Sequence, residues 1–202
     1  MTTINYNLKT GDLFFDGQAI WRVLDTHPEN VRVQNIDDGI RYFHYDEING
    51  VIGGVELLES PKDYDHLNLR NISKKTAEWL AQKPDLSDYA IQQIYNRVLE
   101  GWAPIDAYSH LAANPATPVH ILWGLLERSV ELAAVVAGNP NIPESIAKSL
   151  AIYRPALVRR NLARNRAIQS YPDVVKRLRE DSDRTVKIAL GVAMQEATED
   201  WE

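Results

Sequence analysis

The feature that most constrains this chain is a short phrase that recurs at a near-constant interval in its second half. Leu111-Ala112-Ala113-Asn114 is followed by Val136-Ala137-Gly138-Asn139 and then by Leu162-Ala163-Arg164-Asn165, so the asparagines stand 25 and then 26 residues apart. Another 26 residues on, Ile188-Ala189 takes the place of Leu162-Ala163. A period in this range is the mark of stacked repeats.

Each unit has the same physical reading. Pro118 and Pro143 suit the first turn of a helix, where a missing N–H costs nothing, and Thr117 is expected to cap the first of these helices. Leu122, Leu125 and Leu126 then make one apolar stripe, and Ile146, Ala147 and Leu150 another. A second short helix closes each unit, over 132–137, 156–163 and 185–193; where Asn-Pro follows, it stops that helix. No unit alone can bury its stripe. The units are therefore expected to stack around a shared core, as an elongated ladder of helix pairs. Upstream, 87–100 and 104–112 read as a first, atypical unit and 73–82 as a capping helix.

Leu-Ala-x-Asn-Pro-x-x-Pro followed by a leucine-rich helix resembles the leucine-rich repeat variant, whose short units alternate two kinds of helix. The resemblance covers about 104–193. It is close in two units and degraded in the third, where Arg166 replaces the first proline and the second is displaced to Pro172. It implies a curved α-solenoid with a binding function. Members that carry an iron–sulfur cluster hold it with cysteines; this chain has none, so nothing of that cluster carries over.

The first 58 residues read differently. Asp16-Gly17, His27-Pro28-Glu29-Asn30, Asp37-Asp38-Gly39 and Asn49-Gly50 punctuate short apolar runs, and Asp-Gly and Asn-Gly supply the positive φ that hairpin turns need. The runs are rich in β-branched and aromatic residues, with Val31 and Val33 alternating with Arg32 and Gln34. Four or five strands in a meander predict a small SH3-like barrel or a strongly bent antiparallel sheet. The expected fold class is thus α+β in two domains: a β-barrel-like domain at 1–59, a polar, proline-containing linker at 60–70, an α-helical repeat domain at 71–195 and an acidic tail at 196–202.

Composition narrows the function. Apolar residues make up 45% of the 202 and charged residues 25%, which suits a globular chain. No window approaches the roughly 20 apolar residues that span a bilayer, and the polar first ten residues do not read as a signal peptide, so no membrane association and a cytoplasmic location are expected. Without cysteine, disulfides, thiol catalysis and thiolate metal sites are excluded. His27, His44, His66, His110 and His120 form no His-Glu-x-x-His motif. Gly50-Val51-Ile52-Gly53-Gly54 lacks the spacing of a nucleotide loop, and neither a Gly-x-Ser-x-Gly elbow nor a phosphate loop occurs. The expectation is a protein with no catalytic residue, no metal and no cofactor.

Net charge is −6, unevenly spread. The stretch 154–187 holds ten basic and four acidic residues, the last fifteen residues carry −4, and 1–153 carries −8. Arg154, Arg159, Arg160, Arg164, Arg166, Lys176, Arg177, Arg179, Arg184 and Lys187 are the candidate partner-binding residues, on the expectation that stacked units align them into a ridge. Arginine's planar fork suits phosphate or carboxylate. Three readings stand open for them: a solvated face with local pairs to Asp173, Glu180, Asp181 and Asp183; an acidic protein partner; and nucleic acid. In the barrel, core packing is expected to account for most of the large aromatics; of Trp21, Tyr42 and Tyr45, one or two are candidates to stand exposed and stack on a ligand. The leading expectation is a non-enzymatic adaptor that uses its repeats for protein–protein interaction. The alternatives are a nucleic-acid-associated accessory factor and an inhibitor or immunity-type protein whose acidic part covers a basic enzyme.

Overall fold

The computed structural model describes residues 8–15, 20–26, 30–35, 39–44, 56–57, 74–101, 105–153 and 155–199. The chain divides into two compact units, 1–104 and 105–202. The expected linker at 60–70 and the acidic tail's last three residues lie outside the described residues, as do His27, His66 and the Gly50–Gly54 segment. Among the described residues no helix is long and apolar enough to cross a membrane.

The first unit holds an antiparallel five-stranded sheet. Its strands are β1 (Leu13–Phe15), β2 (Ile20–Thr26), β3 (Asn30–Asn35), β4 (Gly39–His44) and β5 (Glu56–Leu57), in the spatial order β4-β3-β2-β1-β5. Alternation places Val31 and Val33 in the core and leaves Arg32 and Gln34 less buried, as the period-2 pattern predicts. Val33 sits opposite Val23, and Arg32 opposite Asp25, where an ion pair of 2.6 Å spans the two strands. The register shifts between Val23 and Asp25, so Leu24 is the extra residue of a bulge. The barrel expectation is corrected here: β4 and β5 are the two ends of the ladder, and no pairing among the described residues joins them, so the sheet is open. Two-residue β5 supplies too little edge to close a ring.

Two helices belong to the same unit, α1 (Lys74–Ala81) and α2 (Asp88–Leu99). The Ser87 hydroxyl accepts from the Ala90 N–H at 3.1 Å and caps α2. Gly101, with φ of +75°, ends it in the left-handed conformation. Ile91, Ile94 and Val98 form the buried stripe.

The second unit is built of α3 (Ile105–Ala113), α4 (Val119–Leu126), α5 (Val130–Ala137), α6 (Glu144–Ala151), α7 (Ala156–Arg164), a 3₁₀ turn (Arg166–Ser170), α8 (Pro172–Arg179) and α9 (Arg184–Glu199). Helices α3, α5, α7 and α9 pack in succession as one row, and α6 packs on α8 in a second. The same positions are buried in each member: Leu111 and Ala112, Val136 and Ala137, Leu162 and Ala163 in the first row, and Ile121, Leu122 and Leu125, then Ile146, Ala147 and Leu150, then Val174, Val175 and Leu178 in the second.

What fixes the units to one another is the recurring asparagine. Asn139 is fully buried. Its Nδ2 donates to the carbonyls of Ala112 and Asn114, both at 2.9 Å, and its Oδ1 accepts from the Asn141 N–H at 2.8 Å. Asn165 repeats this one unit later: Nδ2 donates to Ala137 O at 2.9 Å and Asn139 O at 2.8 Å, and Oδ1 accepts from Ala167 N–H. Asn114 Oδ1 accepts from Ala116 N–H in the same way. The Asn139 and Asn165 amides thus satisfy carbonyls at the end of the preceding unit's helix and turn as well as one N–H of their own turn. Asn161 to Ala134 O, Asn141 to Pro115 O and the Tyr171 hydroxyl to Ile142 O add further ties at similar spacing.

Three expectations about the repeat are corrected. Pro118 and Pro143 occupy the N-cap, one residue before the helix, with extended ψ of 146° and 152°. Thr117 caps nothing: its hydroxyl donates to Leu111 O at 2.6 Å, satisfying the end of the preceding helix. The fourth unit is out of phase with the sequence reading, because Ile188 is exposed while Val186 and Leu190 are buried where Val158 and Leu162 lie in α7. The cause lies in the third turn. Five residues separate Asn114 from Val119 and Asn139 from Glu144, but seven separate Asn165 from Pro172, and the 3₁₀ turn takes up the excess. Everything downstream moves by two positions, from 26 to 28.

The ladder predicts a sharp contrast. Asn139→Ala strips three hydrogen bonds and strands two buried carbonyls, at a cost of about 3 kcal/mol, read as a lower urea midpoint. Asn141→Ala, removing a single exposed tie to Pro115, is expected to cost less than about 1 kcal/mol.

Candidate partner-binding surface

The nine basic candidates that lie among the described residues fall on four elements, α7, the 3₁₀ turn, α8 and α9, and do not behave alike. Arg159, on α7, is a structural clamp. Its Nε donates to Asp181 Oδ2 at 2.6 Å, Nη2 to Asp181 Oδ1 at 3.0 Å and Nη1 to Tyr153 O at 2.6 Å. The side chains of the pair are only 13% and 5% exposed. Asp181 Oδ1 also accepts from the Asp183 N–H, shaping the turn before α9. One fork therefore joins the α6–α7 turn to the α8–α9 turn. The Arg159 hydrogen bonds hold the Asp181 carboxyl below the usual carboxylate range, against the opposing effect of burial, and the same bonds raise Arg159 further.

The others divide by row. Arg160 is half-buried on α7, and its Nε meets no hydrogen-bond acceptor among the described residues. Arg164 and Arg166 are exposed beside the third asparagine turn. Lys176, Arg177 and Arg179 are exposed on α8 in the second row, and Arg184 and Lys187 on α9 in the first. Arg154 lies outside the described residues. The ridge imagined from the sequence is thus shared between two helix rows. Arg177 lines a groove of about 400 Å³ with Ile152, Glu180 and Ser182, floored by the Arg159–Asp181 pair. Ile152 is 67% exposed there.

The four acidic residues expected to neutralise the block take separate roles. Asp181 holds Arg159. Asp183 caps α9, its Oδ1 accepting from Thr185 N–H at 2.7 Å and from the Thr185 hydroxyl, which lowers its pKa. Asp173 faces Lys148 at 3.5 Å, which also meets Glu144 at 2.8 Å. Glu180 is exposed at the groove.

Of the three sheet aromatics, only Trp21 has a described side chain. Trp21 is 4% exposed and belongs to the core. Tyr42 lies in β4 opposite Arg32 in the ladder; its side chain and the whole of Tyr45 lie outside the described residues. His110 lies on α3 and His120 on α4, and among the described residues no three His, Asp or Glu side chains gather to hold a metal ion.

Sequence reasoning took the asparagines as punctuation and missed their part as the tie between units; their recurrence was the available signal. For Asp181, 22 residues from Arg159, no local pattern gave one. No family model matches this chain, and neither a curated protein nor a solved structure does.

Removing one partner of the clamp leaves a buried charge uncompensated. Asp181→Asn is expected to cost about 3 kcal/mol, measured by urea unfolding near neutral pH. Because the folded-state pKa of Asp181 is depressed, its contribution is complete above the unfolded carboxylate pKa of about 3.9 and is lost as pH falls through the lower folded value. The native chain should therefore lose stability in acid, and Asp181→Asn should lack that part of the loss.

Proposed function

We propose that this protein is a non-enzymatic binding protein, an adaptor that uses its helical repeats as a rigid platform for a protein partner. The observation that carries this is the asparagine ladder. Buried amides tie each unit to the last in a fixed translation, so side chains on successive helices keep a set spacing. Such a surface is preorganised, and little entropy is lost when a partner docks. The likeness to leucine-rich repeat variants supports the same reading, since stacked two-helix units present extended surfaces.

The partner chemistry follows from the exposed cations. With Arg159 consumed by Asp181, the exposed set on α8 and its preceding turn is Arg166, Lys176, Arg177 and Arg179. Guanidinium forks beside exposed Ile152 suit an acidic protein surface with an apolar anchor. Division of the cations between two rows speaks against a continuous phosphate-tracking strip, so an acidic protein is favoured over nucleic acid.

Lys176→Glu with Arg177→Glu tests it, both residues being exposed. Material captured by the native chain in host extract is identified, purified and titrated against both proteins. The variant should keep the native urea midpoint and bind at least about tenfold more weakly. Unchanged affinity, or no partner that binds the purified chain, removes the reading; a partner that proves to be RNA or DNA, with affinity falling steeply as salt rises, replaces it.

A further inference from the structure

The second helix row departs from its own repeat at two positions. Two residues after the buried Leu125, Leu150 and Leu178 stand Glu127, Ile152 and Glu180, all exposed. The flanking units meet water there with a carboxylate, whereas α6 ends on a β-branched apolar residue that is 67% exposed. One residue before the same leucines stand Gly124, Ser149 and Arg177, so the last unit alone of these places a cation there. The stacking of the row requires neither Ile152 nor Arg177, since the other units form without them.

Both residues line the groove of about 400 Å³ described above, together with Glu180. Its floor carries no net charge, because Asp181 is matched by Arg159. Arg177 and Glu180 stand three residues apart at the end of α8, yet among the described residues their side chains form no ion pair or hydrogen bond with one another or with any other group. They face a ligand as a separate cation and a separate anion. We infer that this groove recognises a short segment of a partner protein that presents an acidic, a basic and an apolar side chain together: the carboxylate on Arg177, the cation on Glu180 and the apolar group on Ile152. Such recognition rests on the adaptor reading and narrows its partner. The surface that meets Lys176 and Arg179 is acidic, but the residue that meets Glu180 is not, because a wholly acidic surface would press a like charge against Glu180. Covering Ile152 supplies apolar burial, and the two opposite charges fix the orientation of the segment. A free small molecule fits less well. Ile152, Arg177 and Glu180 are all exposed and would leave much of it in water, whereas small-molecule sites enclose their ligands. A protein surface brings the missing wall with it.

A display library of random heptapeptides, selected on the full-length chain, tests the inference. Peptides combining an acidic, a basic and a large apolar residue should be enriched, and they are then titrated by fluorescence anisotropy. Arg177→Glu and Ile152→Ser should each weaken their binding at least about tenfold and keep the native urea midpoint, both side chains being exposed. Glu180→Lys decides the sign. It should weaken these peptides, whereas a ligand acidic throughout would bind that variant more tightly. A peptide whose basic residue is replaced by glutamate should regain affinity on Glu180→Lys. Failure to enrich any sequence, enrichment of peptides without a basic residue, or binding by Glu180→Lys as tight as by the native chain overturns the inference. The adaptor reading stands or falls apart from it. A purified partner weakened by reversal of Lys176 and Arg177 but bound no less tightly by Glu180→Lys sinks this inference alone.

Discussion

The second unit depends on an amide group buried between neighbouring helix pairs. A helix ends with carbonyls that have no partner in the helix itself, and a stack of short helices brings many such ends indoors. Asparagine carries two N–H donors and one carbonyl acceptor on a short arm. At Asn139 and Asn165 all three groups are used, two toward the preceding unit and one toward the turn that follows. Apolar stripes supply the larger part of the free energy, but they are indifferent to small slides of one helix on another. The amides are directional, and they select one translation between units. The Thr117 hydroxyl serves the same need at Leu111 O, which is why a residue suited to capping the next helix is turned back on the previous one.

A second tie works on the opposite ends of the helices, by charge. Arg159 and Asp181 are both withdrawn from water, which is costly for either alone. The bidentate geometry and the extra bonds to Tyr153 O and from Asp183 N–H leave few of their polar atoms unmatched. Burial and pairing remove one arginine and one aspartate from the surface charge. The remaining cations on α8 and α9 therefore face the solvent with less compensation than the sequence suggests, since Asp183 and Asp173 are occupied elsewhere.

Much of the architecture was legible in the sequence, and the reasons are local. The Asn-Pro punctuation, the leucine stripes at helical spacing and the constant interval revealed the second unit's stacked helices, because each signal is confined to a few neighbouring residues. Val31 and Val33 likewise revealed the inner face of β3. What was not legible is what depends on distant partners. Whether a meander closes is settled by how its outer strands end, and β5 is two residues long. The pairing of Arg159 with Asp181 arises from tertiary packing. The phase of α9 was misread because two residues taken up in the 3₁₀ turn do not announce themselves in the apolar pattern, which stays periodic on either side.

The ladder also has a direction. Every interior asparagine reaches backwards to carbonyls already formed and forwards to an N–H in its own turn, so trimming the array from its two ends is not equivalent. Shortening it after a complete unit merely returns carbonyls to solvent, where water accepts the task. Shortening it from the front removes the acceptors for a buried amide that has no route to water. A polypeptide made in order from its amino terminus meets the harmless case at every stage of its synthesis, each nascent unit arriving to find its acceptors in place.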